Sequence, residues 1–183
     1  MKSDIATSEI AQPYAEALMT VAQSNNLTEA FGNDARSLVT LLNDSQQLRD
    51  FFDNPFILPE NKKALIGRVL GDDTNAFFRS FLMLLVDKKR ISVLSAICKQ
   101  YLAILRQLNQ TVLAEVVSAV PLNETQEQAV KEKVMAMTNA REVELEKKVD
   151  TELIGGVIIK VGSQVIDASL RGQLRRLSLR LSS

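Results

Sequence analysis

"RQLNQTVLAEVVSAVP", residues 106–121, is the stretch in which the chain changes its periodicity. Before it, apolar residues recur at helical spacing. From Thr111 the β-branched residues gather into "TVLAEVVSAV", as in a strand, and Pro121 ends the run. Working back, Asn25-Asn26, "NDS" at 43–45, "NP" at 54–55, Pro59 and "GDD" at 71–73 divide the first part into six predicted helices. Their spans are 8–24, 28–43, 45–53, 60–70, 74–87 and 91–107. The connections are short, which favours antiparallel neighbours and a compact bundle. Working forward, Asn123 is a plausible N-cap for a helix with Glu and Gln in its first turn and Ala129, Val130, Val134 and Met137 at helical spacing. "REVELEKKVD" alternates, Val143, Leu145 and Val149 against Glu142, Glu144, Glu146 and Lys148, as a half-buried strand does. "GGVIIKV" and "SQVID" read as a hairpin turning at Gly162-Ser163, and a helix over 169–182 closes the chain. The expected fold is mainly α with two domains: an N-terminal six-helix bundle over 1–108 and a small α/β (α+β) C-terminal domain over 109–183. No repeat or low-complexity linker separates them.

The glycines in "DTELIGGVIIKVGSQVIDASLRGQLRRL", residues 150–177, do not have phosphate-binding spacing. Gly155-Gly156 and Gly162, with five residues between, match neither G-x-G-x-x-G nor the P-loop, and no helix starts directly after Gly162. They read instead as backbone freedom before a strand and as a tight turn. Asp167 and Ser169 are candidate caps for the last helix. That helix places Leu170, Leu174, Leu177 and Leu181 in one stripe, expected to face the core, with Arg171 and Arg175 on one flank and Arg176 and Arg180 on the other. A nucleic-acid helix would gather its cations into one patch on a basic domain. Here charges balance, with twelve acidic and twelve basic residues before position 110 and ten of each after it, so no nucleic-acid partner is expected.

With no histidine in 183 residues, Ser-His-Asp and Cys-His nucleophiles and most zinc sites are excluded. The single cysteine, Cys98, sits inside the apolar pattern "VLSAICKQYLAIL" and reads as a buried small hydrophobe. Asp72 and Asp73, or the row Glu142, Glu144 and Glu146, could serve a carboxylate-based hydrolase, but such residues at a helix start or on the wet face of a strand ordinarily do structural work. No catalytic residue, metal site or cofactor is expected. The start "MKSDIATSEI" has neither a signal-peptide core nor transit-peptide character, so the chain is expected to begin where its protein begins. The most apolar run, "FFRSFLMLLV", spans ten residues and contains Arg79, too short for a bilayer, so no direct membrane insertion is expected.

Two helices carry more apolar surface than one edge stripe requires. In helix 8–24, Ile10, Tyr14, Ala17 and Val21 form one row and Ala11, Ala15, Leu18 and Ala22 a second beside it. One row can face the core and leave the other, the alanine-lined one, open to a partner helix; equally, both are buried if the helix is central. Helix 74–87, with Phe77, Phe78, Phe81, Leu82, Met83, Leu84, Leu85 and Val86, is apolar nearly all round. It is either the middle of the bundle or half core and half docking surface. Together the pair suggests a groove for an amphipathic helix.

"IAQPYAEALMTVA", "LLVDKKRISVL" and above all "LIGGVIIKVGSQVIDASLRGQLRRL" closely resemble the family of F-type ATP synthase delta subunits, counterparts of the mitochondrial oligomycin-sensitivity-conferring protein. The resemblance runs in order along essentially the whole chain, looks most like the cyanobacterial branch, and is densest at Gly155, Gly156, Lys160, Gly162, Asp167, Ser169, Arg171 and Gly172. It implies a non-catalytic connector, one copy per hetero-oligomeric complex, that ties the catalytic head to the peripheral stalk so that the head resists rotor torque. It further implies that the first and fifth helices receive the N-terminal helix of an α subunit. The positions carried over are Tyr14, Ala15, Leu18, Phe78, Leu82 and Leu85. The C-terminal domain is implied to hold the stalk b-type subunits, with Arg175, Arg176, Leu179 and Arg180 of the last helix as the candidate contact. The location implied is the cytoplasmic, stromal-like face of a thylakoid membrane, or otherwise the inner face of a plasma membrane. A stand-alone helical protein-binding adaptor is the alternative.

Overall fold

The computed structural model describes residues 2–70, 74–138 and 140–174. It divides into two compact units, Met1–Leu105 and Arg106–Ser183. The first contains α1 (Lys2–Ser24), α2 (Thr28–Asp44), α3 (Gln46–Asp53), α4 (Pro59–Leu70), α5 (Ala76–Asp87), a 3-10 turn at Ile91–Val93 and α6 (Leu94–Leu108), which crosses the division. The breakers act by identifiable chemistry. After α1, Asn26 takes φ 55°, and the amides of Asn26 and Leu27 close onto the carbonyls of Gln23 and Ala22 at 3.2 and 2.8 Å. Lys89 ends α5 in the same way, with φ 54° and bonds from Lys89 and Arg90 to Val86 and Leu85. Both are left-handed C-terminal caps that satisfy otherwise orphaned carbonyls. Ser45 caps α3 by accepting from the Leu48 amide at 3.2 Å, and Asn75 caps α5 by accepting from the Phe77 amide at 2.9 Å. Pro59 stands at the first position of α4, where its missing N–H costs no helical bond.

α1 begins at Lys2, six residues before the expected start. Residues 2–7 contain no glycine or proline to stop a helix, so Ser8 is carried inside it. The helices share one hydrophobic core drawn from Ala11 to Leu105, with Phe31, Phe78, Leu82, Leu85, Ile97 and Tyr101 at its centre. Phe31 and Phe78 meet at 5.5 Å between ring centroids, in a tilted pair. Two polar groups enter this interior with partners: the Tyr101 hydroxyl donates to the Thr28 carbonyl at 2.9 Å, and the Lys62 ammonium donates to the Phe52 carbonyl at 2.6 Å. The lysine thereby caps the end of α3, where cationic donors are favoured.

The second unit is a four-stranded mixed sheet with α7 (Glu124–Thr138) on one face. The strands are β1 (Thr111–Ser118), β2 (Glu142–Val149), β3 (Val157–Val161) and β4 (Gln164–Asp167), in the order β2-β1-β3-β4. β1 and β2 are parallel with Val112 opposite Val143, and α7 makes the crossover a parallel pair needs. β3 pairs antiparallel with both β1 and β4. Asn123 and Gln126 cap α7 reciprocally: the Gln126 amide donates to Asn123 Oδ1 at 2.8 Å and the Asn123 amide to Gln126 Oε1 at 3.0 Å. Ala114, Val116, Val143 and Ile159 pack beneath Val130 and Val134 of α7. Ala129 and Met137, expected on that stripe, are exposed, and Met135 packs there instead. The row that faces the sheet is 130, 134 and 135, where apolar side chains meet the sheet core, and Lys147 on the same face reaches Glu127 at 2.6 Å. The opposite face is charged, as the alternation requires, with Glu115 paired to Lys160 at 3.3 Å and Glu144 to Arg106 at 3.2 Å.

Candidate partner-docking surfaces

Burial along α1 separates the two apolar rows. Ala11, Ala15, Leu18 and Ala22 are all in the core, together with Met19. Ile10 and Tyr14 are half-buried, and Ala17 and Val21 are exposed. The row expected to be available for a partner is therefore the inward one. Small side chains let helix backbones approach closely, so the alanine row packs inward, while the larger row, with a tyrosine hydroxyl that needs a wet or polar neighbour, stays at the boundary.

α5 divides in the same manner. Phe78, Leu82, Leu85 and Val86 are buried, whereas Phe77 is 52% and Leu84 44% exposed, with Phe81 half-buried between them. Of the six positions carried over for an α-subunit helix, Ala15, Leu18, Phe78, Leu82 and Leu85 are core, and Tyr14 alone lies at the boundary. As surface contacts those five are corrected: a side chain with no accessible area cannot meet a partner unless the core opens. The outer apolar rows are Ile10, Tyr14, Ala17 and Val21 on α1, and Phe77, Phe81 and Leu84 on α5, with Tyr14 and Phe81 also packed against the core. Their signal was present in the sequence as the excess width of both stripes; which half faced outward was not.

The second unit resolves the glycine-rich stretch. Gly156 has φ 82°, and a side chain there would meet the Ala168 carbonyl at 2.4 Å. Gly172 leaves room for the Asp167 carboxylate, 2.3 Å from where its Cβ would stand. Asp167 Oδ1 accepts from the Ser169 amide at 2.9 Å and the Ser169 hydroxyl at 2.5 Å, and Ser169 Oγ accepts from the Gly172 amide at 3.0 Å. Ser169 thus caps the helical residues 170–174, as expected, and Asp167 holds Ser169 in place. Gly155 lies against Leu170 and accepts its amide at 3.0 Å. Gly162 takes φ 57° in the β3–β4 turn, and Lys160 is held by Glu115. Nothing in this arrangement cradles a phosphate. The leucine stripe does not face a core over its described part: Leu170 is 46% and Leu174 58% exposed, beside an exposed Arg171. Arg175, Arg176, Leu177, Leu179, Arg180 and Leu181 lie outside the described residues, as do Asp72 and Asp73.

Among the described residues no group of three or more Asp, Glu, Cys or His side chains is arranged to hold a metal ion. Burial pushes the Cys98 thiol up to about 12, so it is not a thiolate nucleophile near neutrality. No described helix is long and apolar enough to cross a membrane.

The family model described as ATP synthase delta (OSCP) subunit matches residues 10–181. ATP synthase subunit delta of Nostoc punctiforme is 66% identical over 183 residues, covering all of both chains. The proteins of the same name from Gloeothece citriformis and a Synechocystis species are 59% and 55% identical, covering 99% and 100% of this chain and 98% and 99% of theirs. Among solved structures, a chain of the Toxoplasma gondii mitochondrial ATP synthase hexamer superposes with a TM-score of 0.72 at 23% identity, covering 94% of this chain and 97% of that one, which is a likeness of fold. With the match spanning nearly every residue and the cap geometry accounting for its most distinctive stretch, the chain belongs to the ATP synthase delta (OSCP) subunit family.

Proposed function

We propose that this peripheral-stalk component of F-type ATP synthase works as a two-domain clamp. An N-terminal six-helix bundle, residues 1–108, holds the catalytic head through the N-terminal helix of an α subunit, and the C-terminal domain, residues 109–183, holds the b-type stalk subunits. The chain itself is not catalytic; it is a structural subunit of a proton-translocating complex. The observation that carries the head contact is the exposed apolar side chains Val21 on α1 and Phe77 and Leu84 on α5, each on a helix whose other apolar half is already in the core. Phe77 and Leu84 at half exposure are the kind of surface an amphipathic helix covers. One copy sits in each complex, on the cytoplasmic face of the membrane that holds it. The relatives are cyanobacterial, which favours the thylakoid membrane.

The test is co-purification of the tagged full-length chain with α and b-type subunits from the same genome, with calorimetry against ATP alongside. Retention of both subunits with no stoichiometric ATP binding is expected. A chain that retains neither subunit, or that binds ATP stoichiometrically, would refute the reading.

A further inference from the structure

Where α6 ends and β1 and β2 begin, the second unit has an open cleft with a volume of about 530 Å³, lined by Leu108, Asn109, Gln110, Arg141 and Glu142. Backbone geometry builds it. Gln110 takes φ 54° and donates its amide to the Gln107 carbonyl at 3.2 Å, closing the end of α6. The Gln110 carbonyl in turn accepts from the Arg141 amide at 3.1 Å, one step before the ladder in which Thr111 lies opposite Glu142. Two segments far apart in sequence are thereby held side by side. Of the five lining side chains only Leu108 is apolar, so the cleft suits a small polar solute and not a large apolar ligand. Its charges are unusual for their neighbourhood. Arg106 and Glu144, on the same elements, pair at 3.2 Å, whereas Arg141 and Glu142 make no ion pair among the described residues. Consecutive side chains of an extended chain point away from each other, which keeps these two from neutralising one another although both border the cleft.

We infer that this cleft binds a small zwitterion, an α-amino acid with a polar side chain, whose carboxylate meets Arg141 and whose ammonium meets Glu142. A guanidinium takes a carboxylate through two parallel hydrogen bonds, and a carboxylate takes an ammonium by a charge-assisted one. A plain anion would satisfy Arg141 and be repelled by Glu142, and a plain cation would meet the reverse. Phosphate-rich ligands fit worse still, because the cleft offers them one guanidinium beside a carboxylate. The Gln110 carboxamide both donates and accepts, so it can meet the polar end of the ligand side chain. Arg141 and Glu142 are exposed, so the interaction is screened by salt and the complex is a weak one.

The experiment titrates the isotope-labelled full-length chain with L-glutamine and follows its amide resonances. Saturable shifts centred on residues 108–110 and 141–142 are expected, weakening as salt rises. Arg141→Gln and Glu142→Gln, both at exposed positions, are each expected to weaken binding at least tenfold with Tm unchanged, while Lys148→Gln, which removes an exposed charge farther along β2, leaves it unchanged. Two analogues probe the same contacts on the unaltered chain: N-acetyl-L-glutamine, which lacks the ammonium, and the decarboxylated amine of glutamine are each expected to bind at least tenfold more weakly. A wild-type chain without saturable shifts would overturn the site. Full affinity for N-acetyl-L-glutamine would overturn the ammonium contact in favour of a plain carboxylate. Full affinity for L-glutamine in both Arg141→Gln and Glu142→Gln would place the ligand elsewhere and overturn the assignment.

Discussion

At the scale of single residues, the interior holds two side chains that the sequence treats differently. Cys98 was legible as a buried hydrophobe from its apolar neighbours, and burial is what raises its thiol from an ordinary 9.0 to about 12. Native chain should therefore be inert to a thiol reagent at pH 8 and react at its one cysteine after denaturation; rapid native labelling would contradict the burial. The linkage has a definite sign. Below about 9 the thiol is protonated in both states and its contribution is fully present. As pH rises from there toward about 12, the unfolded chain ionises while the folded one does not, so stability falls, and Cys98→Ala should flatten that alkaline slope in denaturant titrations. Lys62 was not legible. Lysine is ordinarily exposed, and only the arrival of the α3 carbonyl end beside α4 gives its ammonium a buried partner.

At the scale of elements, the start of α7 was readable because Asn123 is a cap that acts within three residues of itself, whereas the start of α1 was not, and Ser45 and Asn75, read as the ends of helices, turn out to cap them. Facing was not readable for α1 and α5, where either of two adjacent apolar rows could meet the core and packing shape chooses between them. The two rows now separate by mutation. Leu18→Asp puts an unpaired carboxylate into the core and should unfold the first unit or lower its stability by several kcal/mol, about 3–5. Phe77→Asp should leave Tm within the range of an ordinary surface change and weaken binding of an α-subunit N-terminal peptide at least tenfold, about 1.4 kcal/mol. A stable Leu18→Asp chain, or full peptide affinity in Phe77→Asp, would reverse the assignment.

At the scale of the whole molecule, the change of periodicity after Leu108 corresponds to two sets of core residues that do not overlap, one drawn from Ala11 to Leu105 and the other from Ala114 to Ile159. A fragment ending at Leu108, where α6 ends, should then be helical, unfold cooperatively and retain the α-subunit peptide. A fragment that is unfolded by circular dichroism would mean that the first core depends on the second half of the chain.

The sequence by itself determined the order of the described elements, the caps at Asn123 and Ser169, the alternation of β2 as far as Leu145 and the family, because each of these is written in spacings of a few residues or in one long matching stretch, while Val149, expected on the buried side of β2, is exposed. Tertiary structure decided which apolar row of α1 and α5 is core, that Met135 and not Met137 serves α7, that a lysine is buried, and that Gly156 and Gly172 are empty where an Ala168 carbonyl and an Asp167 carboxylate must pass. Periodicity records how much of a helix is apolar and at what angle, but the choice among equivalent faces is made by the shape of whatever packs against it.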